Sequence, residues 1–242
     1  MNTLLLPCAG DGSRLAEVGP KCLVNVAGKT ILSHILNKIG DFFDEIIIVI
    51  KPSQEILFEN TISNFVNLEK KVKYVEQIIP SGTLDAVQIG LKAASALNNV
   101  VIVWGDQIGV SQSTIGRVLS AIEKNEQSFV VPVIETEYPY VWVELSQLNL
   151  ISQVWRSRDG DIPPNLGYAD IGVFGLGKKL ASDCIEKIDN FNDNSSRERD
   201  FIYLLPGLSS DSDDREIIFT TDKTQLISIN TPDELKSAHE FF

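Results

Sequence analysis

The 242-residue sequence is short of the residue types that build several common kinds of site. It has two histidines, His34 and His239, so neither a multi-histidine metal site nor a Ser-His-Asp triad is expected. Its three cysteines, Cys8, Cys22 and Cys184, are odd in number and widely spaced, which fits neither a disulfide framework nor a zinc site. Reduced thiols in an intracellular enzyme are therefore expected.

Long apolar runs and basic residues are also scarce. No stretch approaches the roughly 20 apolar residues of a membrane-spanning helix, and the start lacks the basic segment of a secretory signal. With 21 Lys and Arg against 33 Asp and Glu, the formal net charge is −12, which repels nucleic acid and anionic membranes. We therefore expect a cytoplasmic protein that binds neither, and that holds any phosphate with a few well-placed cations and backbone amides.

Apolar runs alternate with amphipathic stretches over the first 134 residues. The runs are short, β-branched and almost continuously hydrophobic, as in strands buried on both faces of a sheet. The β-α alternation predicts a Rossmann-like, mostly parallel sheet sandwiched by helices. The predicted strands are 3–6, 45–50, 72–76, 100–104 and 129–134, and the predicted helices are 31–39, 53–67, 83–97 and 113–124.

The pattern changes after residue 134. Closely spaced strands at 140–145, 150–156 and 169–176 predict a small antiparallel sheet over the mouth of the first unit. Helices at 178–188 and 198–208, strands at 216–219 and 226–229, and a last helix at 232–241 complete the prediction. We expect a single α/β domain, with a nucleotide-binding half at about 1–134 and an acceptor-binding and C-terminal part at about 135–242.

A glycine-rich turn follows the first predicted strand. The run A-G-D-G-S-R-L at 9–15 lets successive backbone N–H groups face one anion. The dinucleotide pattern fails because Leu15 occupies its third glycine position. The alternative is a tight turn with surface cations. The Pro-Lys pair that follows the turn makes this alternative the weaker interpretation. The expected nucleotide-binding residues are Ala9, Gly10, Gly12 and Ser13, and the expected catalytic cations are Arg14 and Lys21.

The run LPCAGDGSRLAEVGPKCLVNVAGKTILSHIL resembles the opening of the sugar-phosphate nucleotidyltransferases. It is especially similar to the uridylyltransferase domain that acts on N-acetylglucosamine 1-phosphate, which has A-G-x-G-x-R, P-K, a leucine-rich strand, A-G-K and a helix in the same order. The resemblance implies the nucleotide-diphospho-sugar transferase fold. It also implies Mg²⁺-dependent coupling of a nucleoside triphosphate to a small phosphorylated acceptor, expected to be a sugar 1-phosphate, with release of pyrophosphate.

The resemblance also implies a base-binding loop and a metal site. Gln77, Gly82 and Thr83 lie where a strand gives way to a helix, and a Gln amide can read a base edge. The alternative interpretation, a helix start capped by Ser81, is compatible with this role, and we expect both, because the cap would shape the loop that binds the base. Asp106 follows a buried strand, at the sheet edge where ligands of open α/β folds bind, and a carboxylate suits Mg²⁺. Asn230 is the implied second metal ligand. The alternative for Asp106 is that its Gly-Asp pair forms a turn. The alternative for Asn230 is that Asn-Thr-Pro-Asp is an ordinary helix start.

The acceptor half departs from the family pattern. Relatives carry Val-Glu-Lys where this chain has Val-Trp-Arg, ending in Trp155 and Arg156, and Asn-x-Gly where it has Asp170 followed by Ile-Gly. We expect Arg156, Asp170 and Trp155 to bind the acceptor, and we do not expect plain N-acetylglucosamine 1-phosphate to be that acceptor. A hydroxyl or amine donor suits Asp170.

Two other functions remain open from the sequence. One is a cytidylyltransferase acting on a polyol or alcohol phosphate, since the same G-x-G-x-R and P-K pair occurs there. The other is a non-catalytic nucleotide-binding regulator, against which Arg14, Lys21 and Asp106 argue. The sequence leaves open the base, the acceptor and the oligomeric state.

Overall fold

The alternating apolar runs of the first half build the parallel part of a mixed sheet. The computed structural model describes residues 1–10, 15, 19–65, 67–79, 81–191, 199–211 and 214–242. The strands are β1 (Asn2–Pro7), β2 (Asn25–Val26), β3 (Lys29–Thr30), β4 (Glu45–Ile50), β5 (Val72–Glu76), β6 (Asn99–Val103), β7 (Ser128–Glu137), β8 (Val141–Leu145), β9 (Ile151–Arg156), β10 (Leu166–Asp170), β11 (Val173–Leu176) and β12 (Asp214–Thr220). The α-helices are α1 (Ile31–Ile39), α2 (Glu55–Ile62), α3 (Thr83–Ala93), α4 (Gln112–Ile122), α5 (Lys178–Asn190), α6 (Leu205–Asp211) and α7 (Pro232–Ala238).

Ten of these strands form one sheet in the order β5-β4-β1-β6-β11-β7-β10-β8-β9, and β12 pairs with β7. Strands β5, β4, β1 and β6 are parallel, whereas β11, β7, β10, β8 and β9 pair antiparallel. The predicted fold class is confirmed: a mixed sheet flanked by helices, with a separate two-stranded antiparallel sheet, β2–β3. The antiparallel strands predicted after residue 134 extend the main sheet.

Both faces of the parallel strands β1, β4 and β6 are buried, as their continuous hydrophobicity predicts. In β1, Leu4 and Leu6 pack into one hydrophobic cluster and Leu5 into another on the opposite face. Helix α1 begins at the predicted residue because the Thr30 hydroxyl accepts a hydrogen bond from Ser33 N at 3.0 Å. Successive side chains of the strand thus pack into two hydrophobic cores, one on each face of the sheet.

The sheet divides near Gly172, and this division positions the site. The predicted strand 169–176 is broken into β10 and β11, which pair with different stretches of β7. The other neighbour of β11 in the sheet is β6, whereas the other neighbour of β10 is β8. Gly172 has a φ of +70°, which favours glycine, and its carbonyl accepts a hydrogen bond from Trp104 N at 3.0 Å.

Several predicted boundaries are wrong near the C-terminus. The predicted strand 226–229 is absent from the described sheet: Lys223–Leu226 form a 3-10 turn, and the following residues pair with the loop after β6. The predicted helix 198–208 is a 3-10 turn, Phe201–Leu204, followed by α6, and residue 198 lies outside the described part. Helices α2, α3 and α7 end earlier than predicted. Nowhere in the described ranges is there a helix of the length and apolarity needed to cross a membrane.

Candidate active site

A cavity of about 680 Å³ opens at the carboxyl ends of the parallel strands β1, β5 and β6. This is the edge where open α/β sheets bind their ligands. The cavity brings together predicted site residues from across the chain. They are Ala9, Gly10, Lys21, Gln77, Gly82, Thr83, Asp106, Arg156, Asp170 and Asn230.

The predicted phosphate loop is described only at its two ends. Gly12, Ser13 and Arg14 lie outside the described residues. At the ends, Lys21 N donates to Gly10 O at 3.5 Å, so the chain that leaves β1 returns to it at Lys21. The segment between them therefore starts and finishes at the cavity.

Lys21, Asp106 and Asn230 form the centre of the cavity. The Lys21 ammonium forms an ion pair with Asp106 Oδ2 and donates to Asn230 Oδ1 at 2.6 Å. The side chains of Lys21 and Asp106 are each 18% exposed, so the pair is accessible from the cavity. Ile229 N donates to Asp106 O at 3.2 Å, and this bond brings the Asn230 segment beside the end of β6. One carboxylate oxygen and one amide oxygen thus converge on a single cation.

The two oxygen atoms that contact the Lys21 ammonium, one from Asp106 and one from Asn230, are ligands of the kind that Mg²⁺ prefers. Mg²⁺ takes one or two carboxylates and fills its remaining positions with water and substrate phosphate. The described residues contain no cluster of three or more His, Cys, Asp and Glu side chains that could hold a metal. A closed, all-protein metal cage is therefore not formed by this part of the chain, whereas the open pair of Asp106 and Asn230 is.

Asn230 is both a metal-ligand candidate and part of a helix start. Its Nδ2 donates to Ser228 Oγ at 3.1 Å, which leaves Oδ1 directed at Lys21. Thr231 and Glu234 form a capping box at the start of α7, and the Glu234 carboxylate also accepts from Asn230 N at 2.6 Å. The bond to Ser228 therefore orients the Asn230 side-chain amide, and the bond to Glu234 holds its backbone at the start of α7.

The predicted base loop lies at the end of β5. The buried Gln77 side chain donates from Nε2 to Gly82 O at 3.1 Å. Gly82, at a φ of +125°, takes the N-cap position of α3 without a side-chain cap. The alternative of a cap from Ser81 is wrong, because the Ser81 hydroxyl donates to Ile79 O at 3.2 Å instead. The Thr83 hydroxyl donates to Asp200 Oδ1 at 2.6 Å.

We expect Gly82→Ala to destabilise the protein by about 2–4 kcal/mol. A Cβ at Gly82 would overlap the carbonyl oxygen of Arg199, and its φ of +125° is rarely adopted by other residues. Urea denaturation measures the change. Gly116→Ala is the matched control, because a Cβ there meets nothing within 4 Å and alanine favours helix α4. Equal midpoints for the two variants would contradict the expected strain.

Arg156 is held by two acidic residues that the sequence did not single out. Its Nε donates to Asp159 Oδ2 at 2.8 Å, and its Nη1 forms an ion pair with Asp200. The side chain is only 6% exposed. Burial lowers the pKa of Arg156, but the Asp159 hydrogen bond and the Asp200 charge outweigh it and raise that pKa above its ordinary value. Arg156 therefore ties β9 to Asp200, and through Asp200 to Thr83 of the base loop.

Trp155 points away from the cavity. It pairs with Trp142 across β8 and β9, while the neighbouring pair, Val141 and Arg156, lines the cavity. Successive side chains of a strand face opposite sides of the sheet. Trp155 is accordingly not among the described residues that form the wall, and its predicted contact with the acceptor has no geometric support.

Asp170 lines the cavity at the division of the sheet. Its Oδ1 accepts a hydrogen bond from Gly172 N at 2.8 Å. Burial raises the pKa of Asp170 from its ordinary value of 3.8 to about 6, and the negative charges of Asp200 and Asp106 contribute to the rise. At neutral pH the protein therefore maintains an unfavourable carboxylate at this position.

We expect Asp170→Asn to raise the free energy of unfolding of the ligand-free protein by about 1–3 kcal/mol at pH 8. The pKa of Asp170 is higher in the folded than in the unfolded chain, so its penalty is absent below pH 4 and grows as the pH rises through about 6. The amide oxygen of the variant would still accept from Gly172 N. Urea titrations at pH 4 and pH 8 measure the difference, and a gain of the same size at both pH values would rule out this cause.

Comparisons with known proteins agree with this geometry. The model of the MobA-like NTP transferase domain matches residues 4–168. The bifunctional protein GlmU of Ruthia magnifica is 21% identical over 98% of this chain and 51% of its own length, and that of Clostridium beijerinckii is 24% identical over the same shares. GlmU of Buchnera aphidicola is 22% identical over 78% of this chain and 40% of its own. The chain spans about half the length of these relatives.

A solved structure has a similar fold. The 4-diphosphocytidyl-2C-methyl-D-erythritol synthase of Anaerococcus prevotii superposes with a TM-score of 0.68 at 18% identity, covering 99% of this chain and 95% of that one. The family match extends over more than half of the chain and includes the phosphate loop, Gln77 and Asp106. The chain belongs to the MobA-like NTP transferase family.

Proposed function

We propose that this chain transfers a nucleotidyl group from a nucleoside triphosphate to a phosphorylated acceptor, expected to be a sugar 1-phosphate, and releases pyrophosphate. The observation that carries the proposal is the convergence of Asp106 and Asn230 on one cation beside both ends of the glycine-rich loop. A structural turn does not require a carboxylate, an amide oxygen and an ammonium group to meet in an open cavity.

Asp106 and Asn230 are the residues that would hold Mg²⁺, with water and phosphate oxygens completing its coordination. When bound, the metal would neutralise phosphate charge and favour attack at the α-phosphorus. The Lys21 ammonium contacts the same two oxygens. Lys21 would then have to turn toward the phosphates.

The side chains at the cavity support proposed roles in binding the leaving group, the base and the acceptor. Lys21 carries positive charge to the pyrophosphate leaving group, and Arg14 is proposed to act beside it. Gln77 and the backbone of Gly82 are proposed to bind the base, with Thr83 fixed by its hydrogen bond to Asp200. The acceptor phosphate is itself the nucleophile, so the protein supplies positioning and charge rather than a covalent intermediate.

A cytidylyltransferase that acts on an alcohol or polyol phosphate is the second candidate. The fold similarity to the Anaerococcus prevotii synthase, which covers nearly all of both chains, favours it. The presence of Asp170 where sugar-phosphate relatives carry Asn favours it as well. The chemistry at the α-phosphorus is the same in both cases, and only the acceptor differs.

A pyrophosphate-release screen tests the proposal. UTP, CTP, GTP and TTP are each combined with a panel of sugar 1-phosphates and alcohol phosphates in the presence of Mg²⁺, with Asp106→Asn as the inactive control. We expect release for at least one pair, dependent on both substrates. If no pair yields pyrophosphate while triphosphate still binds, the protein is a non-catalytic nucleotide-binding regulator.

A further inference from the structure

The described wall of the cavity carries more negative than positive charge. The described acidic residues of the wall are Asp106, Glu137, Asp170, Asp200 and Glu234, and the described basic residues are Lys21, Arg156 and Arg158. A phosphorylated acceptor is an anion, and an anion alone is repelled by such a wall. An acceptor that carries a positive group of its own would offset this excess of negative charge.

Arg156 does not supply the missing positive charge. Its guanidinium is paired with both Asp159 and Asp200, and it is almost completely buried. Asp170, in contrast, has no ion-pair partner among the residues that the structure describes, and the Gly172 N–H is the donor recorded to its carboxylate. This carboxylate also lines the cavity.

An aromatic ring lies beside the same carboxylate. A Cβ added to Gly172 would be 2.8 Å from Trp104 Cδ1, so the indole contacts the glycine whose N–H holds Asp170. The indole is fixed by edge-on packing against Phe174 and Phe201, at centroid distances of 5.2 and 6.1 Å. A fixed indole next to a carboxylate is a suitable site for an ammonium group, which both attract.

Two further aromatic rings line the cavity from the turn between β7 and β8. Tyr138 and Tyr140 are 64% and 52% exposed, although large aromatic side chains usually seek burial. Tyr138 has a φ of +47°, an unusual conformation for a bulky residue. Because they line the same cavity as Asp170, their rings are available to cover an acceptor once it is bound.

We propose that the acceptor is a phosphomonoester that carries a positively charged nitrogen, bound by Asp170 and the Trp104 ring, with Tyr138 and Tyr140 covering it. This inference rests on the proposed nucleotidyl transfer and names its substrate class. The acceptor phosphate lies toward Lys21 and the ammonium group toward Asp170. The positive end offsets the acidic wall, and the phosphate end remains free to attack the α-phosphorus.

Substrate pairs that differ in charge test this proposal. Glucosamine 1-phosphate is compared with N-acetylglucosamine 1-phosphate, and 2-aminoethyl phosphate and its N-trimethyl analogue with 2-hydroxyethyl phosphate. We expect the charged member to have the higher kcat/KM in the pair that reacts best, by about 10- to 100-fold, as for one charge-assisted contact. The two kinds of pair also separate an amino sugar from an amino alcohol.

Asp170→Asn is the decisive variant. It should lower kcat/KM for the charged member more than for the neutral member and so remove the preference, while Asp189→Asn on the exposed surface of α5 changes neither. A best acceptor without positive charge, or an unchanged preference in Asp170→Asn, overturns the inference and leaves the proposed transfer intact. Absence of pyrophosphate release with every acceptor overturns the proposed transfer itself.

Discussion

Asp106→Asn is expected to lose about 10³-fold in turnover and to remain folded. Asp106 follows β6 at the open edge of the sheet, where its side chain faces the cavity and pairs with Lys21. The amide of Asn is nearly the same size as the carboxylate but has no charge to hold Mg²⁺. The Mg²⁺ concentration for half-maximal activity should therefore rise as turnover falls.

The surface pair of Lys92 and Asp189 provides a matched control for Asp106. Lys92 Nζ lies 3.8 Å from Asp189 Oδ1, and both side chains are more than half exposed. Asp189→Asn removes the same charge from the same kind of pair, so turnover should stay near that of the wild type. Near-normal activity of Asp106→Asn at limiting Mg²⁺ would refute the metal assignment, and urea midpoints show whether either variant has lost its fold.

Lys21→Ala is expected to reduce turnover by about 10²–10³-fold, the usual effect of losing one transition-state cation. Its Mg²⁺ requirement should not rise, because the ammonium group competes with the metal for Asp106 and Asn230 rather than helping to hold it. Loss of turnover without a higher Mg²⁺ requirement distinguishes a phosphate-binding cation from a residue that supports the metal site.

Lys92→Ala is the control for Lys21, since it removes an exposed lysine from the surface pair with Asp189. We expect its turnover to be unchanged. If Lys21→Ala turns over as fast as Lys92→Ala, Lys21 has only a structural role in the turn that closes the glycine-rich loop. If instead its Mg²⁺ requirement rises together with the loss of turnover, Lys21 supports the metal site indirectly.

The sequence predicted the elements that are determined by local pattern. Helix α1 is found at 31–39 as predicted, because the Thr30 cap and the buried apolar face define both of its ends. The carboxyl ends of buried parallel strands meet at one edge, so the positions after β5 and β6 placed Gln77 and Asp106 correctly in one cavity. These predictions need only short-range patterns and one rule of sheet topology.

Contacts between distant segments were not predictable in the same way. Arg156 was expected to clamp phosphate, but Asp200 of a separate segment pairs with it, and no periodicity links the two. The predicted strand 226–229 has the apolar pattern of a strand, yet Ile229 donates its N–H to Asp106 O in a loop. A single sequence shows that a segment is apolar and extended, but not which partner satisfies its backbone.

The hydrogen bond from Ile229 to Asp106 also joins the part of the chain that is made last to the proposed metal site. Domains begin to fold from the N-terminal side during synthesis, so the glycine-rich loop and β6 form part of the nascent chain early. Lys21 and Asn230 are separated by 209 residues, and Asn230 lies beyond the stretch that matches the family. A ribosome-bound chain therefore carries the glycine-rich loop long before it has both of the proposed metal ligands, and we expect no nucleotidyl transfer until this last segment docks.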